Sequence, residues 1–184
     1  IGEDKIREFG AKGVILSGGP ESVYLDDAPL IDDAVFDLGV PVLGICYGMQ
    51  AMAQRFGGQI AASAQQEFGA AVIDKIADDA LLGEIEDAPN KLSVWMSHGD
   101  KVIALPDGFV ATASTPSCPI AAMGDDTRQY YGLQFHPEVT HTQQGAAIIS
   151  RFVHQICGCA NDWTPTNIID MQVEALQQRV GDKQ

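Results

Sequence analysis

Apolar positions change their spacing several times along the chain, and each change marks an element. Two short unbroken runs, Gly13-Val14-Ile15-Leu16 and Val40-Pro41-Val42-Leu43-Gly44-Ile45, have the length and content of strands buried on both faces. Between them, residues 29–38 carry Leu30, Ala34 and Leu38 at helical spacing, with Asp32, Asp33 and Asp37 outward, and predict an amphipathic helix. Helical spacing returns at Ala51, Met52, Ala53 and Phe56 and stops at Gly57-Gly58. A weak helical fragment over residues 4–9 comes first. Strand, helix, strand, helix in this order predicts parallel strands joined by crossovers.

From Gln59 the texture changes. Residues 59–62, 69–74, 92–96, 110–114 and 120–123 are short β-type runs separated by turn residues, which predicts an antiparallel excursion added to the parallel sheet. Ser97-His98-Gly99-Asp100 reads as a polar turn after the strand containing Trp95. Residues 130–135 form the last strand. A helix follows with Ala146, Ile149, Phe152, Val153 and Ile156 on one face, ending near Gly158. A final helical pattern, Ile169, Val173, Leu176 and Val180, has Thr164 or Thr166 as its cap. The expected fold class is α/β, a mostly parallel doubly wound sheet with an antiparallel excursion.

Composition narrows the function classes. A chain of 184 residues supports one sizeable core, and a net charge of −14 with no basic stripe argues against non-specific binding of nucleic acid or of an anionic membrane. No apolar run reaches the length of a membrane span, and nothing at the start reads as a signal peptide. The four cysteines, Cys46, Cys118, Cys157 and Cys159, are scattered; the tight Cys157-Gly158-Cys159 has no second pair, so no metal site is expected. A reducing, cytoplasmic setting fits this usage.

The chemistry gathers at three points. Gly44-Ile45-Cys46-Tyr47-Gly48 lies where a buried strand turns sharply into a helix, the geometry of a nucleophile elbow. Gly44 and Gly48 suit a turn where a Cβ would collide, and the helix N-terminus favours a thiolate at Cys46. As a plain buried hydrophobe Cys46 would need neither the flanking glycines nor the switch from strand to helix. His136-Pro137-Glu138 ends the last strand, and residues i and i+2 of an extended segment point the same way. A base that takes the thiol proton and a carboxylate that orients the base are what such a nucleophile requires. Ser17-Gly18-Gly19-Pro20-Glu21-Ser22 lacks the length and the Lys of a phosphate loop. It can aim backbone N–H groups at one point, as an oxyanion site requires, or serve as a plain tight turn.

Ser17-Gly18-Gly19-Pro20, Gly44 through Gln50 and His136-Pro137-Glu138 together resemble the class I glutamine amidotransferase signature. Glu67-Phe68-Gly69, Val94 through Asp100 and Phe135 through Thr142 are similar to the glutaminase part of those members that aminate XMP. Residues 157–169 resemble their crossing into an ATP-using domain. The resemblance implies a Cys46-His136-Glu138 triad, with Cys46 as nucleophile, His136 as base and acid, and Glu138 as orienting carboxylate. It implies oxyanion donors in the backbone N–H groups of Gly19 and Tyr47. It also implies contacts to L-glutamine from Gln50, Ser97 and Asp100; a carboxylate such as Asp100 suits the ammonium end.

The resemblance further implies a strand, helix and strand ahead of Ile1, and an ATP-pyrophosphatase (synthetase) domain after Gln184. Residues 1–160 would then be the glutaminase domain and 161–184 a linker and helix. No cofactor is expected in this chain, since ATP and Mg belong to the synthetase domain. A homodimer of the full-length enzyme is one option. The Arg usual before Glu67-Phe68-Gly69 is Gln66 here. Two rival readings stand beside this one. One is another elbow-type cysteine hydrolase, against which Gln50 and residues 97–100 argue. The other is a docking module silent without its synthetase partner.

Overall fold

The computed structural model describes residues 3–19, 21–25, 28, 29 and 31–161, with residues 169, 172–174, 176, 177 and 179 further on; the side chains of 64–66 are not described. The order of elements is α1 (Glu3–Glu8), β1 (Val14–Leu16), α2 (Ala34–Asp37), β2 (Val42–Ile45), α3 (Tyr47–Arg55), β3 (Gln59–Lys75), β4 (Lys91–Ala104), β5 (Val110–Ser114), β6 (Ala122–Asp125), β7 (Tyr130–Leu133) and α4 (Gly145–Ser150). Helix α4 runs on as a wider π-type turn over Arg151–Ile156, in which the Cys157 N–H donates to the Phe152 carbonyl at 2.9 Å.

Among the described residues seven strands form one sheet in the order β1-β2-β7-β6-β5-β3-β4. β1, β2 and β7 are parallel, and β7, β6, β5, β3 and β4 continue it in antiparallel pairs. The protein is therefore α/β with a mixed sheet, and the antiparallel excursion is its longer part. Alternate residues of β2 feed two cores. Val42 joins Met49 and Met52 of α3 and Val35 of α2 on one face, while Leu43 and Ile45 join Ile148 and Phe152 on the other. Every residue of β2 and β7 is buried, which is why these strands read as continuous apolar runs.

Three expectations are corrected. The helix expected over 29–38 shrinks to Ala34–Asp37, because the Asp32 carboxylate accepts the Ala34 N–H at 3.0 Å and so starts the helix there; Leu30 lies outside the described residues. The runs at 59–62 and 69–74 are one 17-residue strand, β3, whose pairing with β4 shifts register between Ala62 and Glu67. The irregularity breaks the alternation that would have joined them. Ser97-His98-Gly99-Asp100 is no turn: it lies inside the 14-residue β4, where Ser97 pairs with Phe68 and Asp100 with Ala62.

The pattern at 146–156 also shifts slightly, since Ile148 and Phe152 are buried while Ala146 is exposed. Of the last helical pattern, Ile169, Val173 and Leu176 are helical and exposed; Thr164, Thr166 and Val180 lie outside the described residues. β1 is an edge strand among the described residues. A groove of about 760 Å³ beside it is lined by Ile6, Phe9, Val14, Ile15 and Leu16.

Candidate active site

β2 ends at Ile45 and α3 begins at Tyr47, leaving one residue to reverse the chain. That residue, Cys46, has φ 50° and ψ −106°. A side chain other than glycine is strained there, and such strain is held only where the surroundings over-determine it. They do here. The Cys46 N–H donates to the Leu133 carbonyl at 2.7 Å, and its carbonyl accepts the Gln50 N–H at 3.1 Å. The flanking glycines are required by space. A Cβ on Gly48 would sit 2.1 Å from the Leu16 carbonyl oxygen, and one on Gly44 would sit 2.6 Å from the Met49 nitrogen. Helix α3 thus lies directly on the parallel strands, its first N–H groups lacking partners within the helix.

The neighbouring strand β7 leads into His136. Nδ1 of His136 stands 2.7 Å from Glu138 Oε1, which fixes the ring proton on Nδ1 and turns Nε2 toward Cys46. Nε2 is buried and makes no hydrogen bond of regular geometry. The neighbouring Cys46 side chain is the largest cause that raises the imidazole pKa to about 9; burial opposes it and Glu138 reinforces it.

The His136 backbone is pinned on both sides. Its N–H donates to the Trp95 carbonyl at 3.0 Å, and its carbonyl accepts the Thr142 hydroxyl at 2.6 Å. Thr142 Oγ1 in turn accepts the Trp95 N–H at 3.0 Å. The turn that follows is tight: a Cβ on Gly145 would meet the Pro137 carbonyl oxygen at 2.0 Å.

The loop after β1 closes the site. A Cβ on Gly18 would lie 3.2 Å from His136 Cε1 and 3.7 Å from Cys46 Cβ, and one on Gly19 would lie 3.6 Å from the Tyr47 ring. Gly19 and Tyr47 are therefore brought beside Cys46. Pro20 lies outside the described residues. A pocket of about 780 Å³ opens in front of the sulfur, lined among others by Gly19, Cys46, Gln50, Ser97, Asp100 and His136.

All eight residues singled out in the sequence converge on this region, though Gln50 and Asp100 are already engaged. Gln50 Nε2 donates to the Asp100 carbonyl at 2.8 Å and to Gln134 Oε1 at 3.3 Å. The Asp100 carboxylate accepts the Ser22 hydroxyl and, at 2.9 Å, the Tyr24 hydroxyl. Ser97 offers its carbonyl oxygen to Cys46 Sγ at 3.6 Å.

Sequence reasoning missed Gln134, fully buried with Nε2 3.7 Å from Cys46 Sγ, as well as Ser22 and Tyr24. A glutamine inside an apolar strand run was the available signal for the first. Nothing in the spacing pointed to the other two. Among the described residues no group of His, Cys, Asp and Glu is arranged to hold a metal ion. None of the described helices is long and apolar enough to cross a membrane.

A sharp elbow bearing a cysteine, faced by a histidine on a carboxylate, on a mixed sheet whose parallel strands are covered on both sides, defines a class, and the family comparison agrees. The chain belongs to the class I glutamine amidotransferase family, whose model matches residues 2–156. Among curated relatives it is 65% identical, over its full length, to a GMP synthase [glutamine-hydrolyzing] of Psychrobacter arcticus and 54% identical to that of Acinetobacter baylyi. It spans about a third of the length of these relatives, 34% and 33%. A solved structure described as a GMP synthase component from Thermoplasma acidophilum superposes with TM-score 0.69 at 30% identity, covering 92% of this chain and 80% of that one. A glutamine amidotransferase of Thermotoga maritima shares the fold at TM-score 0.58 and 22% identity, with 92% and 72% covered.

Proposed function

We propose that the chain hydrolyses L-glutamine to glutamate and ammonia through Cys46, His136 and Glu138, and that the ammonia aminates XMP to GMP on a synthetase domain of the same enzyme. One observation carries the hydrolytic part: Cys46 held at positive φ at a helix N-terminus, facing a histidine whose other nitrogen is bound by Glu138. The acceptor part is supported by the GMP synthase relatives and by their greater length.

In the first step the Cys46 sulfur attacks the side-chain amide carbon of glutamine. The oxygen that becomes negative is held by the N–H groups of Gly19 and Tyr47, positioned before the charge develops. The C–N bond then breaks, and the imidazolium of His136 gives its proton to the departing nitrogen. Water adds to the γ-glutamyl thioester with His136 as base, the C–S bond breaks, and glutamate leaves with the thiolate restored. Glu138 keeps the imidazole in the tautomer that aims Nε2 at sulfur and stabilises its charged form. Asp100 and the Ser97 carbonyl provide acceptors for the substrate's ammonium end; a carboxylate retains acceptor sites beyond the two hydroxyls it already holds.

Residues 1–160 form the glutaminase domain and 161–184 lead toward the synthetase domain, which binds ATP and Mg. The assay measures ammonia and glutamate release from glutamine, for wild type and Cys46→Ala, alone and with a synthetase domain loaded with ATP, Mg and XMP. Turnover that depends on Cys46 supports the proposal, and turnover seen only with the loaded partner locates control in that partner. Absence of turnover in both settings overturns it. Cleavage of γ-glutamyl peptides in preference to glutamine would favour an elbow-type hydrolase of another specificity.

A further inference from the structure

His98 sits on β4 between the Ser97 carbonyl, which faces the Cys46 sulfur, and Asp100. Its imidazole is sealed, the residue being 4% exposed. Nδ1 lies 3.0 Å from the Asp100 carbonyl oxygen. A carbonyl only accepts, so the proton is on Nδ1. Nε2 is left buried without a hydrogen-bond partner of regular geometry, and Glu67 Oε2 stands 3.5 Å from it. In the neutral ring this nitrogen turns a lone pair toward a carboxylate.

The pair is well placed to matter. The Asp100 carbonyl that His98 holds is also the acceptor for Gln50 Nε2 at 2.8 Å. The side chain of the same aspartate gathers Ser22 and Tyr24 from the loop after β1. On the far side, Glu67 Oε1 accepts the Thr115 hydroxyl at 3.3 Å, and Thr115 Oγ1 accepts the Cys118 N–H at 2.8 Å. A chain of contacts thus runs from the turn after β5 through Glu67 and His98 to the wall of the pocket.

We propose that His98 and Glu67 are positioning residues whose buried imidazole–carboxylate contact holds the Ser97 to Asp100 wall in the shape that binds the amino-acid end of the substrate. The inference rests on the reading of the pocket as a glutamine site. The charged groups facing the imidazole are the Glu67 carboxylate from β3 and, on its own strand, the Lys101 ammonium, with the Asp100 backbone as its remaining partner. Burial outweighs the other influences and holds the imidazole pKa below its ordinary value; Glu67 and the Asp100 carbonyl partly offset it, and Lys101 adds to the lowering.

The test measures glutamine KM and kcat between pH 5 and 9 for wild type, Glu67→Gln, His98→Ala and His98→Asn, with Cys46→Ala as blank and thermal melts for all. Glu67→Gln keeps the shape and removes the charge. It is expected to raise KM about tenfold, the size of one hydrogen bond to a charged group, with kcat within about twofold. It also flattens any dependence of KM on pH that wild type shows. His98→Asn keeps an N–H near the Nδ1 position and restores much of the KM lost in His98→Ala. An unchanged KM in a folded Glu67→Gln, or equal losses in His98→Ala and His98→Asn, overturns the positioning role while wild type remains active. A wild type without Cys46-dependent turnover overturns the glutamine reading itself, and this inference with it.

Discussion

β2 and β7 are buried at every position, whereas β4 alternates buried and partly exposed residues along its length and leaves Ile103 half in solvent. The two regions serve the site differently. The parallel strands deliver Cys46 and His136 from their C-terminal ends, where helices and loops begin and side chains are free to converge. The antiparallel arm delivers Ser97, His98 and Asp100 from the middle of a strand. There the backbone is already committed to pairing: His98 and Asp100 share one face of the pleat, while Ser97 contributes its carbonyl oxygen. The groups proposed to react lie where the chain turns, and the groups proposed to shape the pocket lie where it is straight. Changes to the first region should therefore abolish chemistry or folding, and changes to the second should tune binding.

The largest effect is expected from Cys46→Ala, which should lower glutamine hydrolysis on the order of 10⁴-fold or more. If the loss is smaller than tenfold, the elbow does not carry the reaction. Alkylation offers a companion measurement. Cys118 is sealed and burial pushes its thiol up to about 11. Iodoacetamide at neutral pH should thus modify Cys46 well before Cys118, as peptide mapping can show. Equal rates would remove the special status of the elbow sulfur.

Next comes space around the backbone. Gly48→Ala forces a methyl group against the Leu16 carbonyl oxygen at 2.1 Å, and the rigid parallel frame cannot yield. A loss of about 3 kcal/mol or more, or failure to fold, is expected in denaturant melts. Gly69→Ala in the antiparallel arm meets no atom within 4 Å, and only its φ of +114° resists a side chain. Its cost should be about 1–3 kcal/mol. Equal losses would erase the contrast between crowding and backbone conformation.

The same contrast explains what was legible in the sequence. The elbow could be read because a four-residue apolar strand, two glycines and a helical pattern each follow from short-range sterics. His136 and Glu138 could be paired because extended residues two apart share a face. Ser97 to Asp100 could not be placed as strand, since a serine, a glycine and two polar residues imitate a turn; their strand geometry comes from pairing with β3, a long-range fact. Gln134 interrupts an apolar run, and that is its one trace in the sequence; its partners, Gln50 and the Cys46 sulfur, are long-range and unreadable there. Ser22 and Tyr24 meet Asp100 across more than seventy residues, which no local spacing encodes.

A third measurement concerns charge at the junction. The His136 pKa of about 9 stands above the ordinary histidine value of 6.5, mainly because of Cys46. The stability gained from charging His136 is therefore complete below pH ~6.5 and is lost as pH rises through ~9. In an NMR titration the His136 Cε1 proton should shift near pH 9 in wild type and at lower pH in Cys46→Ala. The stability difference between the two proteins should shrink as pH is raised from 7 to 10. A His136 titration that ignores Cys46→Ala would show that sulfur and ring do not interact.

The smallest effect sharpens the comparison within a single strand. Val72 and Ile73 are neighbours on β3 and point to opposite faces: Ile73 is fully buried in the core with Leu92 and Val94, while Val72 is 53% exposed. Ile73→Ala removes a packed side chain and should cost about 2–5 kcal/mol. Val72→Thr keeps the branched shape that β-strands favour and exchanges one methyl for a hydroxyl facing water, so a change within about 0.5 kcal/mol is expected. If Val72→Thr costs as much as a core truncation, the exposed face of the arm is covered by something in the working protein. If it costs nothing, the arm is a two-faced sheet whose inner side alone supports the fold, leaving its outer side free to change without disturbing the elbow.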